Sequence, residues 1–335
     1  MSNAGIPDIL SFTRLSRAVT NVKAQADTAR TEAVTGRVED VTKETGGEIG
    51  AVHLIKKAVE DSQAYQRSLS FAENIALRTQ TVLGRLTADS NRVAVNAVSQ
   101  FGVGDEAALR STAKDASGAL LGIFSALNTT DGGRALFSGD AVDRPPLGDP
   151  EMLLADVQAI IAGAPDAASA EAALDTYFND PAGGFQTAVY TGGAGTAPTT
   201  EIAPGVRVDA SVKADAQPIK DLIRGLAVIA SFETAPAGGL GERDKLLRAA
   251  GERTLSAESP LSELRAAVGV AEQQIGAAKE RHQMEETALT SLLNSKTLRD
   301  PFEAASQLQL LESQLEASFL MSARIARLSL ANFIR

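Results

Sequence analysis

Apolar residues recur along four long stretches of the chain at alternating steps of three and four positions. This heptad spacing puts them on one side of a helix and predicts amphipathic helices that pack side by side. The first three stretches run from Phe12 to Ala33, from Leu69 to Ala97 and from Leu261 to His282. The last is predicted to open at Asp300-Pro301 and to place Leu308–Ile325 on its apolar side. Both ends of the chain are therefore predicted to be helical.

The middle of the chain has a different pattern. Residues 129–147 are rich in turn-forming residues. Farther on, apolar residues alternate with polar or small ones at Phe185–Val189 and again from Val206 to Val212, which predicts strands. A short apolar helix is predicted from Ile219 to Phe232. The strand-like part is thus inserted between two helical parts.

These patterns predict a mainly α protein, an elongated helical rod with paired terminal coiled-coil helices and an inserted small α+β outer domain. We expect 1–45 and 295–335 to form a terminal coiled-coil domain that is disordered before assembly, because an alanine-rich seam buries little surface. The helical rod is expected at 46–140 and 240–294, and the inserted domain, with a core of its own, at 141–239.

Composition narrows the classes of function. The chain has no Cys, which excludes disulfides, thiolate zinc sites and cysteine nucleophiles. Its formal net charge is −10, which argues against nucleic-acid binding, since phosphates require a basic surface. No apolar run approaches the roughly 18 residues of a membrane span. The first 30 residues have no continuous apolar core of a signal peptide, so no cleaved signal is expected.

No set of residues indicates catalysis. Gly102, Gly104 and Ala107 fit a loose dinucleotide-binding spacing, but the preceding residues predict a helix where that motif needs a strand. His53 and His282 have no ligand partner nearby in sequence and are expected on a helix surface or in a seam. The acidic residues Asp131, Asp140 and Asp143 do not have EF-hand spacing. We therefore expect no enzyme activity, no metal site and no cofactor.

Three stretches carry a resemblance to a known family. The first stripe ends in Thr35-Gly36-Arg37-Val38, and the last 36 residues include Leu328-Ser329-Leu330. The middle stretch is the most specific, with the sequence NTTDG from Asn128 and then LFSG from Leu136, followed by DRPP. Together they resemble the flagellar hook–filament junction proteins (hook-associated protein three, the FlgL family) within the flagellin-like axial protein superfamily.

The resemblance implies a structural component of the bacterial flagellum that acts as an adaptor between hook and filament. It implies subunits exported by the flagellar type III route and located outside the cell. The partners implied are the preceding hook-associated protein, flagellin, further copies of the chain in a ring and an export chaperone, with no nucleic acid and no membrane. Two alternatives stay open, a flagellin and a secreted non-flagellar helical protein. The flagellin motifs R-L-S-S-G and N-S-A-x-D-D-A do not occur in this sequence.

The candidate functional residues form two groups. The predicted assembly interface consists of apolar positions on the terminal stripes: Phe12, Leu15, Val19, Val22, Leu308, Leu311, Leu315, Ile325 and Leu328. The positions that match the family motifs are Gly36, Arg37, Asp131, Gly132, Leu136, Phe137, Gly139, Ser329 and Leu330.

Overall fold

The computed structural model describes residues 6–44, 46, 49–99, 106–233 and 240–333, without the side chains of 6–12, 240 and 325–333. Helices dominate these ranges, as predicted. In chain order they are α1 (Ile6–Thr35), α2 (Val41–Glu44), α3 (Ile49–Ser99), α4 (Glu106–Leu127), α5 (Pro150–Gly163), α6 (Ala167–Asn179), α7 (Gln217–Ser231), α8 (Leu240–Ser256), α9 (Glu258–Thr297) and α10 (Pro301–Phe333).

Local sequence explains where several of these helices begin and end. Asp149 and Asp166 cap α5 and α6, each accepting a backbone N–H from the first turn of its helix. Asp300 does the same for α10, where it accepts the N–H of Phe302 at 2.8 Å. Helix α1 ends at Gly36, whose φ of 64° is a left-handed conformation that glycine adopts at little cost.

Two small antiparallel sheets make up the β structure of the described residues. Strands β1 (Thr130–Asp131) and β2 (Arg134–Ala135) flank a two-residue turn in which both glycines have positive φ. Strands β3 (Thr200–Ala203) and β4 (Val206–Val208) form the second hairpin. The mainly α fold with a small β-containing part is thereby confirmed.

One strand prediction is wrong, and another extends too far. Phe185–Val189 forms a π-helical turn, because Phe185 and Val189 are both fully buried on one side of the chain and Phe185 stacks on Phe178. Tertiary burial here outweighs the period-two pattern. Strand β4 stops at Val208, short of the predicted Val212, because the Asp209 side chain accepts the N–H of Ser211 and turns the backbone.

The chain divides into two compact units. The terminal unit comprises Met1–Gln63 and Met284–Arg335, and the central unit comprises Ala64–Gln283. Within the terminal unit, α1 packs along α10, so the predicted pairing of the terminal helices is confirmed.

In the central unit, one large hydrophobic cluster contains buried residues from every helix from α3 to α9. Helix α7 contributes the fully buried Ile219, Leu222, Ile223 and Ile229 to this cluster and packs against α4 and α8. The expectation that residues 141–239 have a core of their own is therefore wrong for α7. Its apolar side is buried against helices on both sides of the inserted segment. The three-part domain division stays a prediction.

The stripes predicted on α3 and α9 form a buried seam within the central unit. All nine stripe positions from Leu69 to Ala97 are buried, and of those from Leu261 to His282 only Leu264 is half-buried. The ring of His282 stacks on Tyr65 at 4.9 Å, and its Nε2 lies 3.1 Å from the carbonyl oxygen of Ile202. The two histidines thus take the two kinds of position expected for them: His282 lies in the seam, and His53 is exposed on the surface of α3.

Across the described ranges, we find no helix with the length and hydropathy needed to cross a bilayer.

Candidate assembly interface

The two terminal helices, α1 and α10, face each other through mirrored apolar positions. Val22, Ala26 and Ala29 of α1 form one cluster with Leu308, Leu311 and Leu315 of α10. The turn after α1 lies beside the residues that precede α10, so the two helices run antiparallel. This direction aligns Val22 with Leu315, Ala26 with Leu311, Ala29 with Leu308 and Ala33 with the buried Ala304. We call these facing positions the terminal seam.

The buried positions of the terminal seam all lie in the half that is nearer to the α1–α2 turn, among the half-buried Ala33 and Leu308. Ala26, Ala29, Ala304 and Leu311 are at least 94% buried. The other described members of the predicted interface, namely Leu15, Val19, Val22, Leu308 and Leu315, are only half-buried. Phe12, Ile325 and Leu328 fall on α1 and α10 outside the described side chains, as do Ser329 and Leu330. The terminal seam is therefore well packed at one end and thin along the rest of its described length.

A second apolar surface lies on the side of α10 that points away from α1. At 100° per residue this side carries four exposed residues, Phe302 (82% exposed), Leu310 (59%), Leu320 (72%) and Met321 (60%). We call these four the outer face of α10. They fall outside the three-and-four spacing of the seam, which is why the sequence pattern did not identify them. Large apolar side chains grouped on one side of a helix are typical of a surface that other molecules cover.

The packed end of the terminal seam is closed by a backbone clasp. Gly36–Val38, directly after α1, lie beside Thr297–Arg299, where α9 ends and the link to α10 begins. The N–H of Val38 donates to the Thr297 carbonyl at 3.0 Å, and the N–H of Arg299 donates to the Gly36 carbonyl at 3.1 Å. Arg37 itself is exposed and makes the bridge with Leu298. The motif positions Gly36 and Arg37 thus have a structural role in this turn.

The central motif positions shape a folded loop of the central unit. Leu136 and Phe137 are buried, and Asp131 pairs with Arg78 at 3.2 Å. Gly132 and Gly139 have φ values of 56° and 66°. A Cβ at Gly139 would lie only 2.6 Å from the carbonyl oxygen of Gly195, so this glycine permits a close approach of two loops.

Several titratable side chains of the central unit make hydrogen bonds that hold its fold. Burial raises the pKa of the Tyr177 and Tyr190 phenols, and the hydroxyl of Tyr177 donates to Asp156 at 2.7 Å. Asp140 accepts the N–H of Gly195 at 3.0 Å and so holds a loop. Within the described part of the chain, no group of three or more acidic, histidine or cysteine residues is arranged to hold a metal ion. Gly102 and Gly104 of the loose nucleotide-binding spacing lie outside the described residues.

Comparison with known proteins shows the fold. No protein-family profile matches the chain, and no curated protein matches it. The crystal structure of Bacillus cereus FlgL is similar over 73% of this chain and 99% of that chain, with 14% identity and a TM-score of 0.50. A protein named as a flagellar hook-associated protein from Vibrio parahaemolyticus is similar over 73% of this chain and 92% of that chain, with 15% identity and a TM-score of 0.46. The resemblance found in the motifs is confirmed for the fold by the Bacillus structure.

Proposed function

We propose that this chain is a structural, non-enzymatic component of the bacterial flagellum and acts as the adaptor at the junction between hook and filament. The observation that carries the proposal is the terminal helix pair, with its thin seam and its exposed outer face on α10. The fold shared with Bacillus cereus FlgL and the motifs around Gly36 and Leu136 support the same function.

The terminal segments 1–45 and 295–335 are, on this proposal, the part that assembles. A leucine or phenylalanine side chain contributes about 1.5–3 kcal/mol when it is fully removed from water. Phe302, Leu310, Leu320 and Met321 are mostly exposed in the single chain, so this stabilisation is available when neighbouring subunits cover them. The less buried part of the terminal seam, from Val19 towards the N-terminus, completes its packing at the same time.

The partners follow from the position of a junction. One side of the subunit ring meets the preceding hook-associated protein and the other meets flagellin, while copies of the chain contact each other around the ring. Export by the flagellar type III route, with the help of an export chaperone, places the protein outside the cell. Residues 46–140 and 240–294 form the rod, and residues 141–239 face outwards.

A deletion strain tests this function. We expect hooks without filaments and flagellin released into the medium, visible by electron microscopy and by analysis of the culture supernatant. Normal filaments in the deletion strain would overturn the proposal. Loss of filaments without any released filament subunit would identify the chain as the flagellin instead.

Complementation with point variants tests the outer face. Leu320→Asp places a carboxylate at a position that is 72% exposed, so the variant should fold and be exported normally. Covering that carboxylate in the assembly costs several kcal/mol, so filaments should not form. The matched control is Leu121→Asp on α4 in the central unit, which is 47% exposed and should restore motility. Restored motility with Leu320→Asp would exclude the outer face as an interface.

A further inference from the structure

The apolar residues of the terminal seam do not by themselves fix how α1 is aligned on α10. Their period is seven, so a slip of one heptad would bring Ala33 opposite Leu311, Ala29 opposite Leu315 and Ala26 opposite Ser318. Every one of these pairings is again small or apolar. Such a slip would move α1 by about 10 Å along α10, since a helix rises ~1.5 Å per residue. Another feature must therefore select the observed alignment.

The backbone hydrogen bonds of the clasp select the observed alignment. The two hydrogen bonds between Gly36–Val38 and Thr297–Arg299 form only when these segments are directly side by side. Thr297 is the last residue of α9 and Pro301 is the first of α10. The segment Thr297–Arg299 therefore has a fixed position next to the start of α10. A slip of α1 would leave both bonds unmade.

Side chains reinforce the clasp from three helices. Glu32, on α1, is only 8% exposed. Its Oε1 accepts the N–H of Glu39 at 3.1 Å, and its Oε2 lies 3.7 Å from Nε of Arg299. The other two guanidinium nitrogens of Arg299 donate to Glu44 on α2 at 3.2 Å and to Gln307 on α10 at 3.3 Å. Arg299 thus joins α1, α2 and α10 at one point.

Because Glu32 is buried, its ion pair with Arg299 favours the observed register over a slipped one. A carboxylate that loses its cationic partner while it stays buried is strongly destabilised. In a slipped pair Glu32 would move away from Arg299, and the clasp hydrogen bonds to Gly36 and Val38 would be lost with it. The contrasting ion pair, Arg30 with Glu312 at 3.1 Å, has both side chains at least half exposed and contributes little.

We propose that Glu32 and Arg299, together with the backbone clasp, are the register lock of the terminal helix pair. Arg299 is a positioning residue, because it acts by aligning α1 with α10. This alignment fixes the position of the outer face of α10 along the helix axis relative to α1. The proposal concerns a single chain and does not require the junction function.

Disulfide trapping measures the alignment directly, because the chain contains no native cysteine. The double variant Ala29→Cys with Leu308→Cys reports the observed register. The double variant Ala29→Cys with Leu315→Cys reports a slip of one heptad. Each is oxidised in the full-length protein, and the cross-linked fraction is read on a non-reducing gel while circular dichroism follows the helix content.

In the otherwise native background the first cysteine pair should cross-link and the second should not. Adding Arg299→Ala should raise cross-linking of the slipped pair by about tenfold, as expected when charge-assisted hydrogen bonds are lost. Arg299→Lys should raise it less, since lysine keeps the charge but not the fork of donors. The control Arg30→Ala should leave both cross-linked fractions unchanged.

If Arg299→Ala changes the register while the helix content stays the same, Arg299 aligns the two helices and does not merely stabilise them. If Arg299→Ala lowers the helix content, Glu32→Gln decides, because glutamine still accepts the Glu39 N–H but no longer attracts Arg299. Equal cross-linking of the two cysteine pairs in the native background would overturn the register lock. The register lock would also be overturned if neither Arg299→Ala nor Glu32→Gln raised the cross-linked fraction of the slipped cysteine pair. An equal rise with Arg30→Ala would overturn it as well.

Discussion

At the scale of single residues, Arg224 on α7 is a charged side chain buried in the central unit, where it needs partners for its guanidinium. It is 1% exposed, and its guanidinium donates to Asp175 at 2.9 Å and to the Glu171 carboxylate at 2.5 Å. Arg253 on α8 donates to the same Glu171 at 3.1 Å and so connects α6, α7 and α8. Nothing in the spacing of α7 distinguishes this arginine from a surface residue, so sequence alone could not place it in the core.

Substitution of Arg224 should be costly. Arg224→Ala removes the cation that faces Asp175, leaves Glu171 with Arg253 as its remaining partner and opens a cavity, so the free energy of unfolding should fall by about 2–5 kcal/mol. Arg224→Met should cost less, because the side chain fills the space. Urea unfolding at neutral pH measures both. The control Arg85→Ala removes an exposed ion pair with Asp89 and should change stability by less than about 1 kcal/mol. Equal losses for Arg224→Ala and Arg85→Ala would contradict the assigned role.

The same ion pair gives stability a defined dependence on pH. The hydrogen bond from Arg224 is the main reason why the pKa of Asp175 lies below its ordinary value in the folded chain. A lowered folded pKa contributes stability that is complete above the unfolded value of about 3.9 and is lost as pH falls towards the folded value. Stability should therefore decline below about pH 4 in the native protein, and this part of the decline should be smaller in Arg224→Ala, where the hydrogen bond from Asn179 to Asp175 remains.

At the scale of helices, the heptad spacing predicts that α1, α3, α9 and α10 exist, and on α3 and α9 it also predicts the buried side. It succeeded because a strict three-and-four pattern has only one helical interpretation, and because Asp300 and Gly36 mark the ends of α10 and α1. It failed at Phe185 and Val189, whose spacing of four residues fits one side of a helical turn as well as one side of a strand. Only the burial of both side chains against α6 decides between the two.

The uneven terminal seam predicts an order of proteolysis. In the purified chain, trypsin should cut first at Arg14, Arg17 and Arg324, because these exposed sites lie where the terminal helix pair buries little surface. Arg85, equally exposed but on α3 within the central unit, should be cut much later. Mass spectrometry of a time course identifies the fragments, and the central unit should persist. Cleavage at Arg85 as fast as at Arg17 would show that the terminal helices are no less stable than the rest.

At the scale of the whole molecule, the sequence predicted the helical ends and the inserted middle but not how the middle is stabilised. Turn-rich sequence at Pro145-Pro146 suggested a boundary that few contacts cross. In the structure, Leu147, just after this boundary, is buried in the same cluster as Phe124 and Leu226. Turn residues mark a change in chain direction, and such a change can occur inside a single core. The pattern of α7 shows that it is apolar without showing which helices it packs against.

Deletion of residues 148–235 tests the shared core. Joining the ends with a short Gly/Ser linker removes α5, α6 and α7 and exposes the sides of α4 and α8 on which α7 packs. Four of the lost residues alone, Ile219, Leu222, Leu226 and Ile229, are fully buried, and each contributes about 1.5–3 kcal/mol. Their sum is comparable with the whole stability of a typical domain, about 5–15 kcal/mol. We therefore expect loss of cooperative thermal melting, followed by circular dichroism.

A smaller deletion serves as the control for that experiment. Replacing residues 199–209 by a short glycine linker removes only β3 and β4, whose buried contributions to the α3–α9 seam are Ile202 and Val208. This variant should still melt cooperatively, at a lower temperature, because the large cluster around α7 is untouched. Cooperative melting of the larger deletion at the native temperature would show instead that residues 148–235 fold as a separate domain, since a shared core cannot lose α7 without losing its cooperativity.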